Sequence, residues 1–264
     1  MGDFLYRSLE YSLSRIKGHA YRIDRSVPFG VLVGVACRRL IWLLRGVVKC
    51  LLLQRKFRFV FMAPGVNLRN AVMIRLGKAV TLERGAIIDG LSLQGIELGD
   101  NVMIGAYTTV HASLLSHTGV GLRFGKNSSC GPYSYIGAGG LIIIGEDVAM
   151  GQHVSFHAEN HNFERTDVPI RLQGVNSKGI VVEDDCWVGA NTTFLDGAHV
   201  GQGCVIGAGS VVRGEIPPYS IAVGAPARVI KSRLPEGRQG TAAEDAKRAG
   251  SLVTEKGRTD ANRN

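Results

Sequence analysis

Five histidines, His111, His117, His153, His157 and His161, crowd into one part of the chain, and the last three are spaced four apart. An imidazole is mostly neutral yet still basic near neutral pH, so it can take a proton from a hydroxyl, and it is equally a ligand for zinc. Arg165, Arg171 and Gln173 follow in a polar stretch, offering groups that could hold a sugar or an anionic acceptor, although loop side chains of this kind are usually solvated. The five cysteines (37, 50, 130, 186 and 204) are odd in number and show no C-x-x-C spacing, which reads as a reducing compartment rather than a disulfide or zinc framework.

These groups are embedded in a six-residue repeat. Large apolar residues recur at Leu98, Ile104 and Val110; at Phe124, Cys130 and Ile136; at Ile144, Met150 and Phe156; and from Val182 through Val188, Phe194, Val200 and Ile206 to Val212. Neither a helix nor a simple alternating strand has that period. Gly commonly follows the apolar residue, as at 99, 105, 125, 131, 145, 189 and 207. Three positions after the apolar residue come Asn101, Asn127, Asp147, Asp185, Asn191, Gly197, Gly203 and Gly209, types that tolerate left-handed backbone angles. Four after it the side chain is small, as at Thr108, Ser134, Val154, Cys186, Thr192, Cys204 and Ser210. One large and one small inward residue per hexad, three hexads per coil, predict an all-β fold, a left-handed parallel β-helix of hexapeptide repeats. Cys130, Cys186 and Cys204 are then core fillers. Leu76, Leu82 and Ile88 keep the spacing with weaker turn chemistry and read as a frayed first coil. The period breaks at 111–123, just before Ile144, and at 157–181, and a long polar excursion from a rigid rod is where function is expected. His153 and His157 are assigned to exposed turn positions of the repeat.

The 35 glycines and the 7% aromatic content fit such repeated corners. The net charge of +9 is confined to residues 1–60, where twelve Lys and Arg meet three acids, leaving nineteen of each sign elsewhere. No finger, homeodomain or aromatic-basic interleaving accompanies that charge, so no nucleic-acid partner is expected. Residues 28–53 are apolar, but their longest run without a charge is ten residues, too short to span a bilayer. On a helix, Arg38, Arg45, Lys49 and Lys56 fall within about 40° of one another. That stripe predicts either an interfacial helix, with peripheral membrane contact through residues 28–58, or a helix packed on the β-helix end. The opening MGDFLYRSLE lacks the apolar core of a signal peptide, and Tyr6 stands where a myristoylation signal has Ser or Thr. The expected location is cytoplasmic, peripheral on the inner face of the membrane. The expected division is 1–60 a basic helical segment, 61–231 the β-helix, and 232–264 a mobile polar tail.

NHNF (160–163), PIRLQG (169–174), the stretch from Asp184 to Val212 and IPPYSIAVGAPARVIK (216–231) make the chain resemble the hexapeptide-repeat acyltransferases, above all the O-acetyltransferases of bacterial surface-polysaccharide synthesis. The resemblance implies His161 as general base, acetyl-CoA as co-substrate with no metal, direct attack of an acceptor hydroxyl on the thioester, a saccharide acceptor, and a homotrimer with its site between neighbouring prisms. It places Trp187 beside that site, Ala190 and Ala208 along the CoA arm, and Arg213, Arg228 and Lys231 near the CoA phosphates. Asn160, Arg165, Arg171 and Gln173 are the candidate acceptor-binding residues. The chain departs from the galactoside-type pattern in two places: Gly131 replaces an Asn that helps bind acceptor, and Arg213 and Gly214 replace a Thr-Lys pair, so a different acceptor is expected.

Two other functions fit the same fold. A γ-class carbonic anhydrase would use three of the histidines on zinc, but it pairs two ligands five apart, and here the intervals are four or six. A non-catalytic scaffold would have no reason to keep His161, Trp187 and Arg228 together.

Overall fold

The computed structural model describes residues 6–11, 14, 20–52, 59–112 and 117–235. The hexads form three parallel sheets that are the faces of a triangular prism, the left-handed parallel β-helix expected from their period. The first face runs from Phe61–Met62 to Val205–Ile206 and Ser220–Val223, closed by an antiparallel strand, Arg228–Ser232. The second runs from Asn67–Arg69 to Val211–Val212, and the third from Ile74–Leu76 to Glu215–Ile216. The repeat thus starts at Phe61 rather than fraying near Leu76: Leu82 and Ile88 are fully buried.

The positions picked out by the period point where a prism needs them. The large residues from Leu82 to Val212 are buried in one column, with Phe156 and Phe194 stacked at 4.5 Å. The small residues are buried with them, and their hydroxyls close the corners. Ser134, Thr192 and Ser210 each donate to the carbonyl of the glycine three positions back, Gly131, Gly189 and Gly207, at 2.9, 2.8 and 2.6 Å. Among the described residues no buried side-chain N or O lacks a partner, so the polar atoms in this core cost little. The Asn, Asp and Gly residues three after the apolar position all take positive φ. Corner glycines are needed for space as well: a methyl on Gly125 would come 2.3 Å from the carbonyl oxygen of Gly145.

Successive partners along the first face, Phe61, Thr81, Met103, Ser129, Ala149, Trp187, Val205 and Ile221, lie 20, 22, 26, 20, 38, 18 and 16 residues apart. Every departure from eighteen arises at one edge, between the second and third faces. The other two edges keep six residues per side throughout. Insertions there are tolerated because the chain leaves and re-enters the prism at one corner without shifting the inward pattern of either flanking strand.

Helix α1 (Phe29–Leu52) packs on the first strand of the first face. Gly46 lets it approach so closely that a methyl there would sit 1.9 Å from the carbonyl oxygen of Val60, and Cys50 is buried beside it. Arg39 lies over the rings of Trp42 and Phe61 at 5.5 and 5.4 Å and donates to Thr81 Oγ1 at 3.0 Å; its burial lowers the guanidinium pKa. Lys56 of the basic stripe and residues 236–264 lie outside the described residues.

Candidate active site

The irregular edge holds a cavity of about 320 Å³ shared by three consecutive coils. In the second face His111, Gly137 and His157 are register partners, one above another. Gly137 has no side chain, so a gap opens between the two imidazoles, and the Tyr135 ring leans across it, 5.6 Å from the ring of His157. His157 therefore does not sit at a turn, as its place in the repeat suggested. It ends the strand Ser155–His157 and faces the cavity. His153 does occupy a turn, at φ 57°, where its ring stacks on Tyr133.

Two insertions at this edge supply the rest of the lining. His117 comes from the first and Glu159 from the second, and their side chains meet with Nε2 and Oε2 3.2 Å apart. Asn160–His161 opens a two-stranded antiparallel ribbon with Val175–Asn176, which holds His161 at the cavity rim, exposed to solvent. The four imidazoles thus converge on one opening. Among the described residues no group of three or more His, Cys, Asp or Glu is arranged to hold a metal ion.

Asp196, one coil further on, fastens the excursion at its root. Its carboxylate accepts from Asn160 Nδ2 at 3.0 Å and from the backbone N–H groups of Lys178 and Gly179 at 2.8 Å, gripping the chain as it leaves and as it returns. Gln173 closes the middle: its amide donates to the carbonyls of Arg165 and Val168 at 2.6 and 2.8 Å, and its oxygen accepts from the Arg165 N–H at 3.1 Å. Arg165 pairs with Asp167 at 2.5 Å, a bond that raises the arginine pKa and lowers that of the carboxyl. Of the four candidate acceptor residues, Asn160, Arg165 and Gln173 thus have partners within the fold, while Arg171 stands exposed on the short 3-10 turn Ile170–Leu172.

The second group of candidates lies elsewhere on the prism. Trp187 is exposed on the first face. Ala190 and Ala208 are stacked at the edge between the first and second faces, where the Gly209 N–H bonds the Ala190 carbonyl at 2.8 Å. Arg228 and Lys231 are exposed on the closing strand, and Arg213 follows Val211–Val212. Within one chain the whole second face separates Trp187, Ala190 and Ala208 from His161. The sequence reading singled out His117 only as one of five histidines without placing it beside His161, and it missed Glu159, Tyr135 and Asp196 altogether. A signal existed: three hexads separate successive breaks, which returns each break to the same edge.

The family model described as bacterial transferase hexapeptide (six repeats) matches residues 179–214. A protein of Mycobacterium tuberculosis named as an acetyltransferase, Rv3034c, is 36% identical over 179 residues, 68% of this chain and 56% of its own length. The Escherichia coli K12 protein named as the lipopolysaccharide biosynthesis O-acetyl transferase WbbJ is 33% identical over 131 residues, 43% of this chain and 67% of its own. The chain therefore spans little more than half of the mycobacterial relative. A crystal structure of the Bacillus cereus N-acyltransferase AntD, holding a dTDP-amino sugar and coenzyme A, superposes with TM-score 0.46 at 18% identity, over 76% of this chain and 89% of that one.

Proposed function

Because the chain belongs to the hexapeptide-repeat acyltransferase family, we propose that it moves an acetyl group from acetyl-CoA to a hydroxyl of a saccharide in surface-polysaccharide assembly. The observation that carries this reading is the position of His161, at the rim of a cavity that opens on the one interrupted edge of the prism. Its imidazole takes the proton of the acceptor hydroxyl as the oxygen attacks the thioester carbonyl. The tetrahedral oxyanion that forms is steadied by N–H donors, and its collapse releases the CoA thiolate, which is then protonated. Ala190 and Ala208 leave room beside Trp187 for the pantetheine arm, and Arg213, Arg228 and Lys231 supply cations for its phosphates. Asn160, Arg165, Arg171 and Gln173 hold the acceptor or the loop that meets it.

A homotrimer belongs to the same reading. The two groups of residues stand on separate edges of one prism, and a rotated neighbour laid against the second face would bring its Trp187 edge toward His161. A cytoplasmic location, peripheral on the inner face of the membrane, fits an acceptor assembled on a lipid carrier. Thiol release from acetyl-CoA in the presence of a panel of saccharides tests the chemistry. His161→Ala is expected to lower turnover roughly 10²- to 10⁴-fold with folding unchanged, and turnover near that of wild type would remove His161 from the mechanism.

A further inference from the structure

Helix α1 leaves an apolar face in the open, and what it fits is independent of the acyl-transfer reading. At 100° per residue, Arg39, Gly46 and Cys50, which meet the prism, fall within an arc of about 40°. The opposite arc carries Leu40, Ile41, Leu44, Val48 and Leu51, each more than half exposed. Five large aliphatic side chains on one exposed helix face are not what an isolated soluble surface presents. Arg38, Arg45 and Lys49 form a row along one flank of that face, and the 24 residues of α1 contain no acid. The apolar surface continues past the helix into a groove of about 410 Å³ between α1 and the first coil, where Met62, Ala63 and Val66 join it.

We propose that α1 lies in the surface of an anionic lipid bilayer, with Leu40, Leu44 and Val48 among the acyl chains and Arg38, Arg45 and Lys49 against the headgroups. Among the described residues no helix is long and apolar enough to cross a membrane, so α1 lies in the interface plane. Charge decides between occupants. Two copies of α1 set face to face would bring rows of like charge together with no acid on either helix to answer them, whereas an anionic bilayer offers apolar depth and opposite charge at once. Because Arg39 and Gly46 fix the opposite side of the helix to the prism, the whole β-helix is carried at a set orientation above the lipid.

Flotation of the full chain with vesicles tests this. The protein is expected to float with vesicles of phosphatidylcholine and phosphatidylglycerol and to stay behind with phosphatidylcholine alone. Each cation near such a surface strengthens binding about fivefold, so replacing Arg38, Arg45 and Lys49 by Gln is expected to weaken it roughly a hundredfold. Leu44→Asp with Val48→Asp is expected to abolish it. Arg38, Leu44, Arg45 and Val48 are exposed and Lys49 is partly exposed, the last four lining the open groove rather than the packed contact, so melting followed by circular dichroism should match wild type. The inference falls if wild type fails to float with the anionic vesicles, if it binds both vesicle types equally, or if the apolar-face variant still floats. It falls equally if that variant instead lowers the mass of the lipid-free protein, which would make the face a contact between copies. Loss of acyl transfer in the His161 variant bears on none of these readouts.

Discussion

The edge between the first and second faces and the edge between the second and third are made from the same hexads, yet they have opposite characters. At the first, each side takes six residues and like residues stack on like: Tyr107, Tyr133 and His153, all at φ near 57°, pile ring on ring at 5.4 and 5.3 Å. At the second, the chain departs from the repeat again and again, and the departures bring His117, Glu159 and His161 to the imidazoles of His111 and His157. A stacked prism tolerates this division because its strands need only return in register, and one corner can absorb all the extra length. The candidate catalytic residues have collected where register is not at stake.

The longest departure shows how cleanly the two are separated. In the uninterrupted hexad, Phe194 is followed three residues later by Gly197 at φ 80° and six later by Val200. In the interrupted one, Phe156 leads to Ala158, and Gly179 at φ 89° leads to Val182. The excursion is thus spliced between the second and third positions after the apolar residue, with the turn glycine kept on the far side, where the Gly197 N–H bonds its carbonyl at 2.8 Å. Joining Ala158 directly to Gly179 by deleting residues 159–178 restores an ordinary hexad. The expected result is complete loss of acetyl transfer, since His161 is removed, with cooperative melting within a few degrees of wild type. A deletion variant that does not fold would break the comparison, because it would make the excursion part of the prism's own stability.

The converse change acts on the column. Phe194→Ala empties a fully buried position stacked on Phe156 and is expected to cost about 3–5 kcal/mol, read as a lowered denaturation midpoint. A loss below roughly 1 kcal/mol would mean that the coils tolerate voids as readily as the irregular edge tolerates inserted chain.

The same division governs what the sequence made legible. The column, the turn residues from Asn101 to Gly209 and the small inward hydroxyls could be read because each obeys a local rule repeated many times. The site could be read only in part. His161 is proposed through a motif, but His117 and Glu159 carry no periodic mark, and their meeting depends on two insertions of unequal length returning to one corner. His157 was misplaced for the same reason: the rules for a hexad say where a turn falls, while its position beside Gly137 follows from register with the coil below. For α1, the stripe of Arg38, Arg45 and Lys49 was visible in the spacing. That Arg39 sits instead on Trp42 and Phe61 was not, since adjacent arginines look alike until a strand is set beneath one of them.

The smallest expected effect concerns an ion pair on the regular third face. His199 Nε2 and Glu183 Oε1 are 2.8 Å apart, and the same bond raises the histidine pKa above its ordinary 6.5 and lowers the carboxyl below its ordinary 4.5. The histidine contribution is complete below pH 6.5 and fades as pH rises through its elevated folded value. The glutamate contribution is complete above pH 4.5 and fades as pH falls through its depressed one. The pair therefore stabilises most between about pH 4.5 and 6.5, by less than about 1 kcal/mol because both side chains are some two-fifths exposed. Melting His199→Gln and wild type side by side is expected to show a gap that is widest near pH 5.5 and narrows by pH 8. A gap constant across that range would mean the pair is not ionised as described. The pH profile of acetyl transfer should be the same in both proteins, because His199 belongs to the repeat and not to the interrupted edge. A profile that moved with His199→Gln would show that titration in the regular coils reaches the cavity, and the separation of the two edges would not hold.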